Sequence, residues 1–200
     1  MMTTTHVLMA ATAGVALKRQ GRSLPMKWLV FGGLAPDLAL LVLTGGYMVA
    51  LQQGWLPDER LFGTLYDTLY FTNPIWIAGY NLLHAPLVIA ALIGAGVWAM
   101  RRGALWGAAM LWFGVGCAIH TAGDIPVHHN DGPLLLFPLE WSVRFYSPVS
   151  YWHSGYYAAQ FGVFETLLVV AMLAYLLIPP LMRWVRRVVS PTIEQREYPD

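Results

Sequence analysis

Four stretches of the chain stay apolar for about twenty residues: about 27–51, 75–100, 104–122 and 158–182. A backbone in hydrocarbon must satisfy its own N–H and C=O groups, and about 20 apolar residues make a helix that spans the bilayer core. One more run, about 5–17 and so the first of five in chain order, is short for a span and predicts a buried or half-spanning helix. The expected fold is an all-α membrane protein, a bundle of about five apolar helices. Four are clear spans and one is a short N-terminal helix, with an irregular outer loop after the fourth apolar run. Residues 1–189 read as one integral membrane domain and 190–200 as a polar tail. Charge agrees, since only 12% of residues are Asp, Glu, Lys or Arg, against about 25% in soluble domains.

Basic residues predict the orientation. Lys18, Arg19, Arg22 and Lys27 follow the first run, Arg101 and Arg102 the third, and Arg183, Arg186 and Arg187 the fifth. If every run spans, all three clusters fall on one side, which the positive-inside rule makes cytoplasmic, the C-terminus with it. The opposite loops, about 52–74 and 123–157, hold Asp58, Glu59, Asp67, Asp124, Asp131 and Glu140 against Arg60 and Arg144. At the N-terminus positive charge follows the apolar run, the reverse of a secretory signal, so this segment is expected in the mature fold. A net charge of +1 points to no nucleic-acid partner, and the partner expected is the lipid bilayer. The single cysteine, Cys117, excludes an internal disulfide and a cysteine-based zinc site.

An ionisable side chain in hydrocarbon costs several kcal/mol and is a functional candidate by default. Four stand within or at the ends of the apolar runs: His6 in TTTHVLMAA, Asp37 in FGGLAPDLALL, His84 in YNLLHAPLVIA, and His120 closing the fourth run. Each has a plainer reading. Asp37 after Pro36 fits a cap on a restarted helix; His84 fits a core histidine bonded to a carbonyl; His6 fits an interfacial residue; His120 and Asp124 fit a simple pair.

Together they point to a metal. His120 and Asp124 are at i and i+4, on one helical face about 6 Å apart. Pro126 should end the helix, so that His128 or His129 can fold back on a turn. Neutral imidazoles and carboxylates suit Zn²⁺ or a similar divalent ion. The candidate ligands are His6, Asp37, His84, His120, Asp124 and His128. Six exceed the four protein ligands of a structural zinc site, so either two or more ions are held or some of these residues orient the others. At 1.5 Å per residue, His84 and His120 lie roughly 26 and 27 Å from their nearest basic cluster, but His6 and Asp37 only about 18 and 15 Å. Straight helices thus leave a mismatch of about 10 Å.

The order of these motifs resembles the bacterial inner-membrane metal-dependent hydrolase-like family that includes YdjM. The matching stretches are THVLMAA, GGLAPDLA, LLHAPLVIA and HTAGDIPVHHNDGPLLLFPLEWSVRFYSP, over about residues 5–152. The resemblance implies an inner-membrane protein with a metal-dependent hydrolase centre. Two departures stand out: Ala39 occupies a position that is usually a second aspartate, and Gly79-Tyr80-Asn81 the region of a further histidine. The GD-x-x-x-HH turn is also similar, more weakly, to the zinc-dependent phospholipase C and P1-nuclease group.

No G-x-S-x-G elbow or phosphate-cradling glycine loop is present, which leaves metal chemistry. The expected function is hydrolysis of an ester or phosphoester, of a lipid or amphiphile, by metal-activated water on the outer side of the membrane. His129 and Asp131 are acid–base candidates. Arg144 is a candidate substrate anchor, or else pairs with Glu140. The rivals are a non-catalytic metal-binding or transport protein, and haem held by His84 and His120.

Overall fold

The computed structural model describes residues 1–56 and 63–194; Asp58, Glu59 and Arg60 of the first acidic loop lie outside the described residues. Seven α-helices are present among the described residues: α1 (Thr3–Arg19), α2 (Met26–Gln52), α3 (Thr64–Thr72), α4 (Pro74–His84), α5 (Pro86–Arg101), α6 (Gly107–Asp124) and α7 (Ala158–Glu194). No strand is described, so the all-α expectation holds. Three helices are long and apolar enough to cross a membrane, or four if the bent pair α4–α5 is one span.

The third apolar run is one segment in sequence and two helices in space. α4 and α5 meet at a bend of 49°. The cause is Pro86, which has no N–H to continue a helix and holds Ala85 extended at φ −69°, ψ 124°. Pro74 likewise opens α4, where the Asn73 side chain caps it by accepting from Ile75 N at 2.9 Å. The bend leaves His84 as the last residue of α4, facing the bundle interior.

Elsewhere the runs extend as helices. α2 passes through Pro36 without a break, so Asp37 does not cap a restarted helix. α3 is a short helix within the loop expected at about 52–74. α7 runs on to Glu194, into the stretch expected as polar tail; residues 195–200 lie outside the described residues. It packs along α1, where Arg19 donates to the Tyr175 carbonyl at 3.2 Å and stacks over the Tyr175 ring. Its exposed apolar side chains, among them Phe164, Leu167 and Val170, suit contact with lipid.

The crossing of α2 and α6 sets the position of the centre. A Cβ on Gly116 would collide with the Leu29 carbonyl oxygen and come within 2.8 Å of Gly32 Cα. Only glycine at this crossing allows such an approach, as in small-residue interfaces of other membrane helices. One turn beyond Gly116 is His120, and just over one turn beyond Gly32 is Asp37.

Candidate metal centre

His120 is fully buried against α2, and its Nδ1 lies 2.9 Å from the Gly33 carbonyl oxygen. His84, also fully buried, places Nδ1 2.6 Å from the Tyr80 carbonyl. A carbonyl only accepts, so in both rings Nδ1 carries the proton and donates. In the neutral rings each Nε2 then presents a lone pair. These two Nε2 atoms face one another at 3.1 Å. Two buried lone pairs at that distance repel, unless a cation lies between them or one ring carries a second proton.

Carboxylates complete the group. Asp37 Oδ1 is 3.6 Å from His84 Nε2 and 3.5 Å from His120 Nε2, and Asp124 Oδ2 is 3.7 and 3.0 Å from the same atoms. A tetrahedral ion with arms of about 2.0–2.1 Å has ligand–ligand edges of about 3.3–3.4 Å. The five edges measured, from 3.0 to 3.7 Å, bracket that value. The donor set and its spacing fit a divalent ion. Thr3 Oγ1 donates to Asp37 Oδ2 at 2.5 Å, which fixes the carboxylate with Oδ1 turned inward. Thr121 Oγ1 donates to the His84 carbonyl at 2.9 Å and ties α6 to the end of α4.

The other oxygen of Asp124 faces a second group. Oδ1 is 2.9 Å from His6 Nε2, 3.5 Å from His128 Nε2 and 3.0 Å from the Met1 amino group. His6 stacks on His120 at 3.7 Å, yet neither of its ring nitrogens makes an aligned hydrogen bond. His6, His120 and Asp124 are close enough to hold an ion, and so are Asp37, His84 and His120; with Nδ1 spent on the Gly33 carbonyl, the single Nε2 lone pair of His120 serves one group at a time. Asp124 thus turns one oxygen toward each pair of rings, Oδ1 to His6 and His128 and Oδ2 to His84 and His120. All six expected ligands meet here.

The expected turn also forms: a 3-10 turn over Ile125–Val127 carries the chain past Pro126 and brings His128 back. Behind it, Asp131 Oδ2 is 3.1 Å from His128 Nδ1 and accepts the Trp152 indole N–H at 2.7 Å. Burial alone would lower the His128 pKa, but the Asp124 and Asp131 carboxylates outweigh it and raise it above the usual histidine value. The same contact with His128 holds Asp131 below the ordinary carboxylate range against the effect of burial.

A family model described as YdjM inner membrane protein matches residues 1–185. The chain belongs to this family. The match is longer than the motifs alone suggested and takes in most of α7. No curated protein and no solved structure matches the chain, and the similarity to the phospholipase C and P1-nuclease group finds no support.

Within this member of the YdjM family the two departures have local explanations. At 100° per residue, position 39 lies about 200° round α2 from Asp37, so Ala39 leaves no gap in the group around His84 and His120. Asn81 is fully buried and spends its amide on structure: Nδ2 donates to the Ile77 carbonyl at 2.8 Å, and Oδ1 accepts from Leu134 N at 2.6 Å. It pins the loop after α6 to α4.

Two candidate residues stand apart from the cluster. His129 Nδ1 donates to the Ser147 carbonyl at 2.6 Å, and its ring stacks on Tyr156 at 3.6 Å. Arg144 donates to the Gly132 carbonyl oxygen and lies over the Phe71 ring at 5.7 Å; no pairing with Glu140 is described. Carboxylate oxygens of Asp37 and Asp124 lie within 3.7 Å of both Nε2 atoms, where a porphyrin plane would have to pass, which argues against the haem reading. Glu165, buried in α7 and accepting from Met2 N at 2.8 Å, was not among the candidates. Its signal was plain: a carboxylate inside an apolar run, the same feature that singles out Asp37.

Proposed function

We propose that the protein is a membrane metal-dependent hydrolase. In this reading His6, Asp37, His84, His120, Asp124 and His128 would hold two or more Zn²⁺ or similar divalent ions. The centre lies toward the outer face, with the basic clusters and the C-terminus cytoplasmic. Its substrate is an ester or phosphoester of a lipid or amphiphile. The observation that carries the metal is the pair of buried Nε2 atoms 3.1 Å apart, flanked by two carboxylates. Support for a substrate comes from a cavity of about 730 Å³ that reaches Asp37, Asp124 and His128, within the range of small-molecule sites.

A bound divalent ion supplies Lewis-acid polarisation and lowers the pKa of water toward about 7. The chain's own residues do the rest. Carbonyls of Gly33 and Tyr80 lock the two rings that point inward. Asp131 holds His128 through Nδ1 and borders the cavity, which makes it the better placed of the two acid–base candidates. His129 and Arg144 would have to leave their carbonyl partners before serving a substrate.

Asn81, in the region where the family pattern has a histidine, favours a second reading: a membrane protein that binds metal without turnover. The two separate in one assay. The metal-loaded chain, reconstituted in vesicles, should release acid or phosphate from ester substrates, and His84→Ala or a chelator should abolish this. Bound metal with no release from any ester or phosphoester would leave the non-catalytic reading.

A further inference from the structure

The cavity beside the candidate centre has an unusual wall for a phosphoester site. Among its described lining residues there is no Lys or Arg; the basic groups are the Met1 amine and the His128 imidazole, and both lie against Asp124. Beside the candidate ligands, the wall is formed by Tyr70, Tyr80, Tyr151 and Trp152 with the carboxylates Asp67 and Asp131; the Tyr80 ring stacks on His84 at 4.2 Å and the Tyr151 ring lies 4.9 Å from His128. The Tyr70 and Tyr80 rings are 5.2 Å apart and inclined by 54°, so they make a corner, not a stack. The Tyr70 hydroxyl donates to the Asp131 carbonyl at 2.8 Å, and the Trp152 indole to the Asp131 carboxylate at 2.7 Å, which locks two rings around one acid. Asp131 Oδ1 is buried without a hydrogen-bond partner. The Tyr80 hydroxyl, on a residue only 4% exposed, lies beside that of Tyr70. The tyrosine phenols, with an ordinary pKa of about 10, are neutral at pH 7.

Neutral aromatic faces beside carboxylates attract cations, and they bind quaternary ammonium groups well when desolvated. An anionic headgroup would instead call for Arg or Lys forks. We infer that the cavity takes an ammonium-bearing headgroup of an amphiphile, with the ammonium among Tyr70, Tyr151, Trp152 and Asp131 and the ester toward Asp37 and Asp124. The identity of this group as a substrate rests on the hydrolase reading; its binding does not.

The test is calorimetric titration of the full chain in mild detergent with choline, with its neutral carbon isostere 3,3-dimethylbutanol, and with inorganic phosphate. Choline should bind at least about tenfold more tightly than the isostere, and phosphate should not compete. Trp152→Ala should weaken choline by about tenfold, while Trp152→Phe, which keeps a ring, should lose less. Equal binding of the isostere, or displacement of choline by phosphate, would overturn the inference. If choline binding is suppressed in phosphatidylcholine nanodiscs but not in phosphatidylglycerol nanodiscs, the headgroup comes from lipid; if in neither, from a soluble ester; both outcomes support the site. Metal analysis of the same samples separates the two proposals. Choline selectivity without metal keeps this site and sinks the hydrolase reading. Metal without choline selectivity does the reverse.

Discussion

Replacing Gly116 by alanine should disable the centre without touching any ligand. The new Cβ would stand 2.8 Å from Gly32 Cα and 2.9 Å from Gly32 C, and closer still to the Leu29 carbonyl oxygen. Carbon atoms rest at about 3.5–4.0 Å, so α2 and α6 must part by about 1 Å. Overpacking of this kind typically costs about 1–3 kcal/mol. The contacts that join the two helices, the ligand edge from Asp37 to His120 at 3.5 Å and the hydrogen bond from His120 to the Gly33 carbonyl at 2.9 Å, would open by a similar amount. Metal sites tolerate only about 0.2 Å in their distances. Gly94, on the exposed side of α5 with nothing within 4 Å of its Cβ position, is the control. Thermal unfolding in detergent and metal content should be measured for both. Gly116→Ala should lower the midpoint and the bound metal; Gly94→Ala should leave both unchanged or raise the midpoint slightly. Equal behaviour of the two variants, or full metal retention in Gly116→Ala, would refute the claim that this crossing sets the centre.

Asp131→Asn should weaken metal binding by about 10–100-fold in a chelator competition, because the carboxylate that orients His128 is lost while every ligand remains. Unchanged affinity would show that His128 does not ligate or needs no support. Glu140 accepts from Ser142 N at 2.8 Å and from Val143 N at 2.8 Å, and these bonds hold its carboxyl below the ordinary glutamate value. A folded pKa lower than the unfolded one means that its contribution is present above about pH 4.3 and is lost as pH falls through the folded value. Fluorescence of Trp141, the neighbouring residue, should report this low-pH transition, and Glu140→Gln should remove it; an identical titration in the variant would contradict the assignment.

Much of the fold could be read from the chain because lipid leaves an apolar backbone few options. α1, α2, α6 and α7 fall where apolar runs fall, and only their ends moved. The run at 75–100 stands as one apolar segment, but its bend was not legible, because hydropathy is blind to a break that costs no apolar residue. The signal was local, in Ala85-Pro86, where proline forces its predecessor out of the helix. α3, nine residues of TLYDTLYFT, is too short and too mixed to stand out from an interfacial loop. The ligands themselves were legible because burial makes an ionisable group conspicuous. Their depths were not. Counting a rise of about 1.5 Å per residue assumes straight, parallel helices, whereas the bend after His84 and the tight α2–α6 crossing bring His6, Asp37, His84 and His120 together. The roles of Asn81 and Thr3 depend on partners 53 and 34 residues away, which no local pattern shows.

Metal content decides the central claim most directly. The full chain, extracted from membranes in mild detergent without chelator, should carry two or more divalent ions by elemental mass spectrometry. His120→Ala, which removes the residue common to both ligand groups, should lose them while keeping its helical content. A protein that holds no metal under these conditions, even after incubation with Zn²⁺, would mean that a proton and not an ion separates His84 from His120, and would contradict the account.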